Sequence, residues 1–159
     1  MKREFIYGQC NNPISQLCYG KSRKPVSKVG CGVVALYNAL VFKGIDAEFS
    51  ELLRAMEKLG MPWIFGVFGT KPFSLKRYFK KNNIPYKNYI SVKHFKNSLT
   101  DDKIGIVCAW NKGFRGLHFY CVCRENGEYR SMNFISSDQA LSFDLLQITP
   151  MRFVTGYIL

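Results

Sequence analysis

The sequence predicts an α+β domain, with N-terminal helices packed on a mostly antiparallel sheet drawn from the C-terminal half. Three observations carry that expectation. Apolar residues recur at helical spacing between residues 31 and 82, and β-branched and aromatic runs dominate from residue 84 onward. The two patterns follow one another and do not alternate as in a βαβ unit. At 159 residues the chain is one domain's worth, so 1–159 is read as a single domain.

Each element has its own signal. The first thirty residues are polar, carry turn formers and lack periodicity, so they read as an ordered loop crossing the surface. From Gly30 the run Val33, Val34, Leu36, Tyr37, Leu40 and Val41 is helical, and Gly44 ends it. In AEFSELLRAMEKLG, Phe49, Leu52, Leu53, Met56 and Leu59 form one stripe, closed by Gly60 as a C-cap signal. MPWIFGVFGT is apolar and punctuated by glycine, which suits a buried loop close to a cleft. A third helix is expected from Thr70 as N-cap, with Pro72 in its first turn, to about Asn82. IPYKNYI, IGIVCAW, GLHFYCVC, EYRSMNF and MRFVTGYIL read as strands, with a short helix at SVKHFKNSL.

Composition narrows the function classes. With 47% apolar residues, 13 Phe and 9 Tyr, the chain is globular rather than disordered. No apolar run reaches the roughly 18 residues a transmembrane helix needs. The start MKREFIYGQC lacks the apolar core of a secretory signal, so a cytoplasmic location is expected. The six cysteines, at 10, 18, 31, 108, 121 and 123, are scattered and read as free thiols. The net charge of +12 favours acidic partners such as nucleic acid, anionic lipid or acidic peptide. Its basic residues gather in KSRK (21–24) and KRYFKK (76–81). In the second clump Lys76, Lys80 and Lys81 fit the solvated face of a helix. Neither clump matches a nucleic-acid motif, so nucleic-acid binding is disfavoured.

The chemistry centres on a hairpin and one cysteine. GLHFYCVCRENGEYRSMNF holds two strand-like runs joined by Asn126-Gly127, the favoured pair for a two-residue type I′ turn. With those residues at the tip, Glu125 opposes Glu128, Tyr120 opposes Asn133, and His118 opposes Ile135. Asn133 is then the diagonal neighbour of His118 on the same face, roughly 7–8 Å away. A His–Asn contact is expected. Cys121 and Cys123 point to the other face, which excludes a zinc site shared with His118 and makes them core thiols.

Cys31 stands between Gly30 and Gly32 at the head of an apolar helix. There free N–H groups and the helix dipole favour a thiolate, and flanking glycines permit close approach. Alone it reads as a small packed residue; beside a paired His and Asn it reads as the nucleophile of an acyl transfer.

Cysteine at a helix head, histidine on a strand and an amide on the next strand resemble the papain-like cysteine peptidases. The chain is most similar to the branch that includes the bacteriocin-leader-processing peptidases and related bacterial proteins. The likeness is carried by Gln9, Tyr19-Gly20, Gly30-Cys31-Gly32, Leu117-His118-Phe119 and Asn133. GTKPFSLKRYFKKNNIPY adds a G-T-x-P helix and the strand that follows it. The resemblance implies a papain-like fold with the site in the cleft between helices and sheet, and a peptidase that needs neither cofactor nor metal. Cys31 would be the nucleophile, His118 the base, Asn133 the residue that holds the ring, and Gln9 with the Cys31 N–H the oxyanion donors. The sequence departs from the pattern in places. Pro25 stands where papain has its glutamine, leaving Gln9 or Gln16 for that role, and Val33-Val34 and Asn133-Phe134 replace the residues common in relatives.

The expected activity is cleavage of a peptide or amide bond through an acyl-enzyme, on a peptide or protein substrate in which acidic residues would complement the net charge. The alternative is a catalytically inactive domain of the same fold that binds an acidic partner. Elsewhere, His94 is expected at the surface and Trp63, Phe65, Phe68 and Trp110 in the core, with Trp63 also placed to line a cleft. Asp101-Asp102 reads as a turn and Ser136-Ser137-Asp138 as a helix start.

Overall fold

The computed structural model describes residues 4–10, 13–111, 116–133, 141–142 and 151–159. Among them are five α-helices and two antiparallel sheets, an α+β arrangement. The helices are α1 (Val26–Val29), α2 (Cys31–Phe42), α3 (Phe49–Lys58), α4 (Leu75–Lys81) and α5 (Val92–Ser98). A small sheet pairs β1 (Cys18–Tyr19) with β2 (Lys24–Pro25). The main sheet comprises β3 (Lys87–Tyr89), β4 (Ile104–Trp110), β5 (Leu117–Glu125), β6 (Glu128–Met132), β7 (Leu141–Ser142) and β8 (Phe153–Ile158). Its order is β3-β8-β4-β5-β6-β7, with every pairing antiparallel.

Helix α2 is the hub. Only Tyr37, Val41 and Phe42 of it are partly exposed, so it is buried on nearly every side rather than along one stripe. It packs on α3 and on the face of the sheet that carries Ile104, Ile106, Phe119, Cys121 and Cys123. The Cys121 thiol donates to the Ala35 carbonyl at 2.9 Å. The opposite face, with Val107, Tyr120 and Val122, is covered by Phe95 and Leu99. Phe95 of α5 lies on Gly105 and Gly156, where an added Cβ would come within 2.4 and 2.5 Å of its ring.

The helix ends follow their sequence signals. Ile45 N–H reaches Leu40 O and Gly44 N–H reaches Val41 O, the double bond of a Schellman motif with Gly44 at φ +66°. The end of α3 repeats it at Gly60, and that of α4 at Asn83. The β5–β6 hairpin turns on Asn126 (φ 52°) and Gly127 (φ 82°). Glu125 opposes Glu128 and Cys121 opposes Met132, the register expected from the turn residues.

Three expectations are corrected. The α4 helix starts at Leu75, not beside Thr70, because Thr70 is drawn into a β-bridge with Pro62 and a hydrogen bond with the Tyr19 hydroxyl at 3.1 Å. The N-terminal segment is more than a surface loop. Tyr19 and Val26 are fully buried, and Asn38 of α2 clamps Ile6 through two reciprocal bonds of 2.8 Å to its N–H and carbonyl. A buried side-chain amide thus replaces a strand partner. Strand β6 stops at Met132, and Asn133 adopts φ 64°, outside the extended range of a strand. The expected partner Ile135 and the helix start at 136–138 lie outside the described residues. Among the described residues, no helix is long and apolar enough to cross a membrane.

Candidate active site

Gly30 serves α1 as C-cap and α2 as N-cap, and its N–H bonds to Val26 O at 2.8 Å. A Cβ there would meet the Val26 side chain at 2.4 Å, and one on Gly32 would meet Thr70 Oγ1 at 2.4 Å. The two glycines therefore let α1 and Thr70 close around Cys31, the first residue of α2. Gly32→Ala is expected to force Thr70 out of place and destabilise the fold by about 1–3 kcal/mol. Thermal unfolding would register this as a lower Tm, and with Gly32 at an ordinary helical φ the loss is one of packing.

The Cys31 side chain is 9% exposed. The His118 ring and the backbone N–H groups of Phe119 and Gly32 are the neighbours that favour its thiolate. Burial pushes the thiol pKa up, but the bond and charge of His118, with the two N–H groups, outweigh it and bring the pKa below the ordinary value. The other buried thiols go the opposite way. Burial raises Cys108 and Cys121, and carries Cys123 to about 11.

His118 is the second residue of β5, paired with Ala109 of β4. Strand alternation puts it with Tyr120, on whose ring it stacks at 5.9 Å, and away from Phe119 and Cys121. Its place near the start of β5 lets it act on the Cys31 thiol together with the Phe119 N–H. His118 Nε2 lies 2.5 Å from the Asn133 carbonyl oxygen. A carbonyl can only accept, so Nε2 carries the proton and Nδ1 is left for the sulfur. Burial lowers the ring's pKa, yet the Cys31 thiolate, aided by the Asn133 carbonyl, raises it overall. Both shifts favour the thiolate–imidazolium pair.

The holder of the ring differs from the sequence expectation. Asn133 reaches His118 through its backbone carbonyl, while its side chain turns to the N-terminal segment. Asn133 Nδ2 donates to Gln9 Oε1 at 3.0 Å and the Gln9 N–H donates to Asn133 Oδ1 at 3.1 Å. The Asn133 N–H donates to Tyr7 O at 3.0 Å. The cause is the positive φ at Asn133, which rotates the carbonyl and side chain relative to an extended strand. Gln9 is buried beside this network, and its Nε2 donates to Ser27 O at 3.0 Å. Gln16 ends a 3-10 turn and is exposed.

A cleft of about 520 Å³ opens beside Cys31. Trp63, Val67, Phe68, Trp110 and Leu117 make its walls largely apolar, with Lys28 at the α1 end. Gly69 (φ 73°) brings its loop onto Val29 O, a contact that a Cβ would close to 2.8 Å. Trp63 thus lines a cleft as expected, while Trp110, read as core, lines it too. Phe65 and Phe68 are 65% and 62% exposed, and not core. Sequence reasoning missed Tyr19 and Thr70, which brace the cysteine turn, and Lys28. The adjacency of Tyr19 to Gly20 was visible, but nothing local tied it to Thr70. His94 is exposed and Asp101-Asp102 form a turn, as expected.

No known protein-family model matches this chain, and no curated protein matches it. What the site offers is a depressed thiol, an imidazole held in one tautomer, first-turn N–H groups without acceptors inside the helix, and an apolar cleft.

Proposed function

We propose that this protein is a thiol-dependent acyl-transfer enzyme of papain-like architecture, acting as a cysteine peptidase. The observation that carries the reading is the juxtaposition of Cys31 and His118, each acting on the other so that the thiol is shifted down and the imidazole up. In this reading the Cys31 thiolate attacks the substrate carbonyl carbon. The oxyanion is held by the Cys31 N–H and by Gln9 Nε2, which gives one proton to Ser27 O and has a second. The His118 imidazolium protonates the leaving amine, leaving a thioester on Cys31. Water then attacks the thioester as His118 takes its proton, and the acid product leaves. Transfer to an amine instead of water gives the same first half-reaction. The substrate is a peptide or protein segment, with acidic residues complementary to the +12 charge.

The test is incubation with a mixed-sequence peptide library and intact-mass analysis after acid quench. Cleaved peptides, and a thioester adduct mapping to Cys31 and absent in Cys31→Ala, are the expected result. No cleavage and no adduct, despite a reactive Cys31, would replace the enzyme with a catalytically inactive binding domain.

A further inference from the structure

The cleft loop also presents a surface to solvent. Ile64, Phe65 and Phe68 are 52%, 65% and 62% exposed, large apolar side chains turned outward from one short loop. Ile64 and Phe65 hold φ of 44° and 56°. Positive φ is costly for any side chain and most of all for a β-branched one, and such strain collects where function requires it. The loop is clamped at its base by the Pro62–Thr70 bridge and along its side by Ser22 N–H donating to Phe65 O at 2.7 Å.

That second clamp joins two features distant in sequence. The turn after Gly20 carries the basic clump KSRK, and it packs directly on the apolar loop. Gly20 (φ 74°) permits this, because a Cβ would stand 2.7 Å from Phe65 O. Lys21 Nζ lies 5.8 Å from the centre of the Phe65 ring, and Lys21, Arg23 and Lys24 are exposed. On the α3 side, Lys58 and Lys71 flank Ile64 and Phe65 along a shallow groove. The one acid there, Glu57, is engaged with the Gly20 N–H at 2.6 Å.

We propose that this surface docks the protein on an anionic lipid bilayer, with Ile64, Phe65 and Phe68 entering the interface and the surrounding cations facing lipid phosphates. Exposed aromatic residues ringed by Lys and Arg suit the boundary between headgroups and acyl chains, where apolar burial and charge attraction act together. An acidic peptide would satisfy the lysines but leave three large side chains in water. Because Ile64 and Phe68 also line the cleft, docking holds the mouth of the Cys31 site at the membrane surface. The inference stands whether or not Cys31 turns over substrate.

The experiment is flotation of the full chain with phosphatidylcholine vesicles, with and without phosphatidylserine. Binding to the phosphatidylserine vesicles is expected. The pair Phe65→Ser with Phe68→Ser should weaken it about tenfold or more. The pair Lys21→Glu with Lys24→Glu should weaken it by at least about fivefold per charge. Trp63 gives a readout without any loop change. In Trp110→Phe it is the sole tryptophan, and brominated lipid should quench it. No binding to phosphatidylserine vesicles would overturn the proposal. So would binding indifferent to the serine pair and without quenching, or capture of polyglutamate in place of vesicles.

Discussion

Iodoacetamide near pH 6 is expected to label Cys31 about a hundredfold faster than the exposed Cys10 and Cys18. An ordinary thiol is less than about 1% ionised at that pH, whereas His118 lowers the Cys31 pKa and so raises its thiolate fraction. Partial burial and the lower nucleophilicity of a stabilised thiolate take back part of the advantage. In His118→Ala the balance reverses. The imidazole's bond and charge are gone while burial remains, and burial acts to raise the thiol. Labelling near pH 6 should then fall by about a hundredfold and return only in alkaline solution. Peptide mapping of the labelled chain checks both results, and equal labelling of all accessible cysteines only above pH 8 would remove the basis for a nucleophile.

The pH dependence of turnover follows with its signs. The thiol titrates below its ordinary value, so activity rises as pH passes through that lowered pKa. The imidazole titrates above its ordinary value, so activity falls as pH passes through that raised pKa and the leaving group loses its proton donor. Alkylation needs only the thiolate and should not fall on the alkaline side. That divergence between labelling and turnover separates a paired Cys–His from an isolated acidic thiol.

Asn133→Gly is expected to cost about 2–6 kcal/mol of stability while leaving the low-pH reactivity of Cys31 largely in place. Glycine keeps the carbonyl that accepts from His118 Nε2 and accommodates the φ of 64°. It deletes the side chain bonded to the Gln9 N–H and Oε1, stranding two buried groups at about 1–3 kcal/mol each. Denaturant unfolding should show the loss. Hydrogen exchange should show Gln9 opening first, with Ile6 still held by Asn38. A collapse of Cys31 reactivity in a folded Asn133→Gly protein would instead show that the side chain, not the carbonyl, holds the ring.

Much of this was legible from neighbours along the chain. Gly44 and Gly60 mark helix ends because only a residue at ease with positive φ lets the Schellman bonds close, and Asn83 does the same where no glycine stands. Asn126-Gly127 set the hairpin register, and with it the strand that carries His118 and the strand that leads into Asn133. Thr70 shows where such reading stops. It has the chemistry of an N-cap and a proline two residues on, but a bridge to Pro62 and the buried Tyr19 hydroxyl claim it first. Tertiary partners overrode a local preference.

Local pattern places the helices ahead of most of an antiparallel sheet, Cys31 at the head of a buried helix, and His118 and Asn133 on one hairpin. Those are short-range matters of periodicity and turn chemistry. Tertiary packing makes the Asn133 carbonyl accept from His118 while its amide binds Gln9, because one backbone angle sends the two groups in different directions. It alone joined the basic turn at 21–24 to the aromatic loop at 64–68, through a single backbone hydrogen bond between residues more than forty positions apart. Contacts at that separation depend on how whole elements pack, and no local pattern records them.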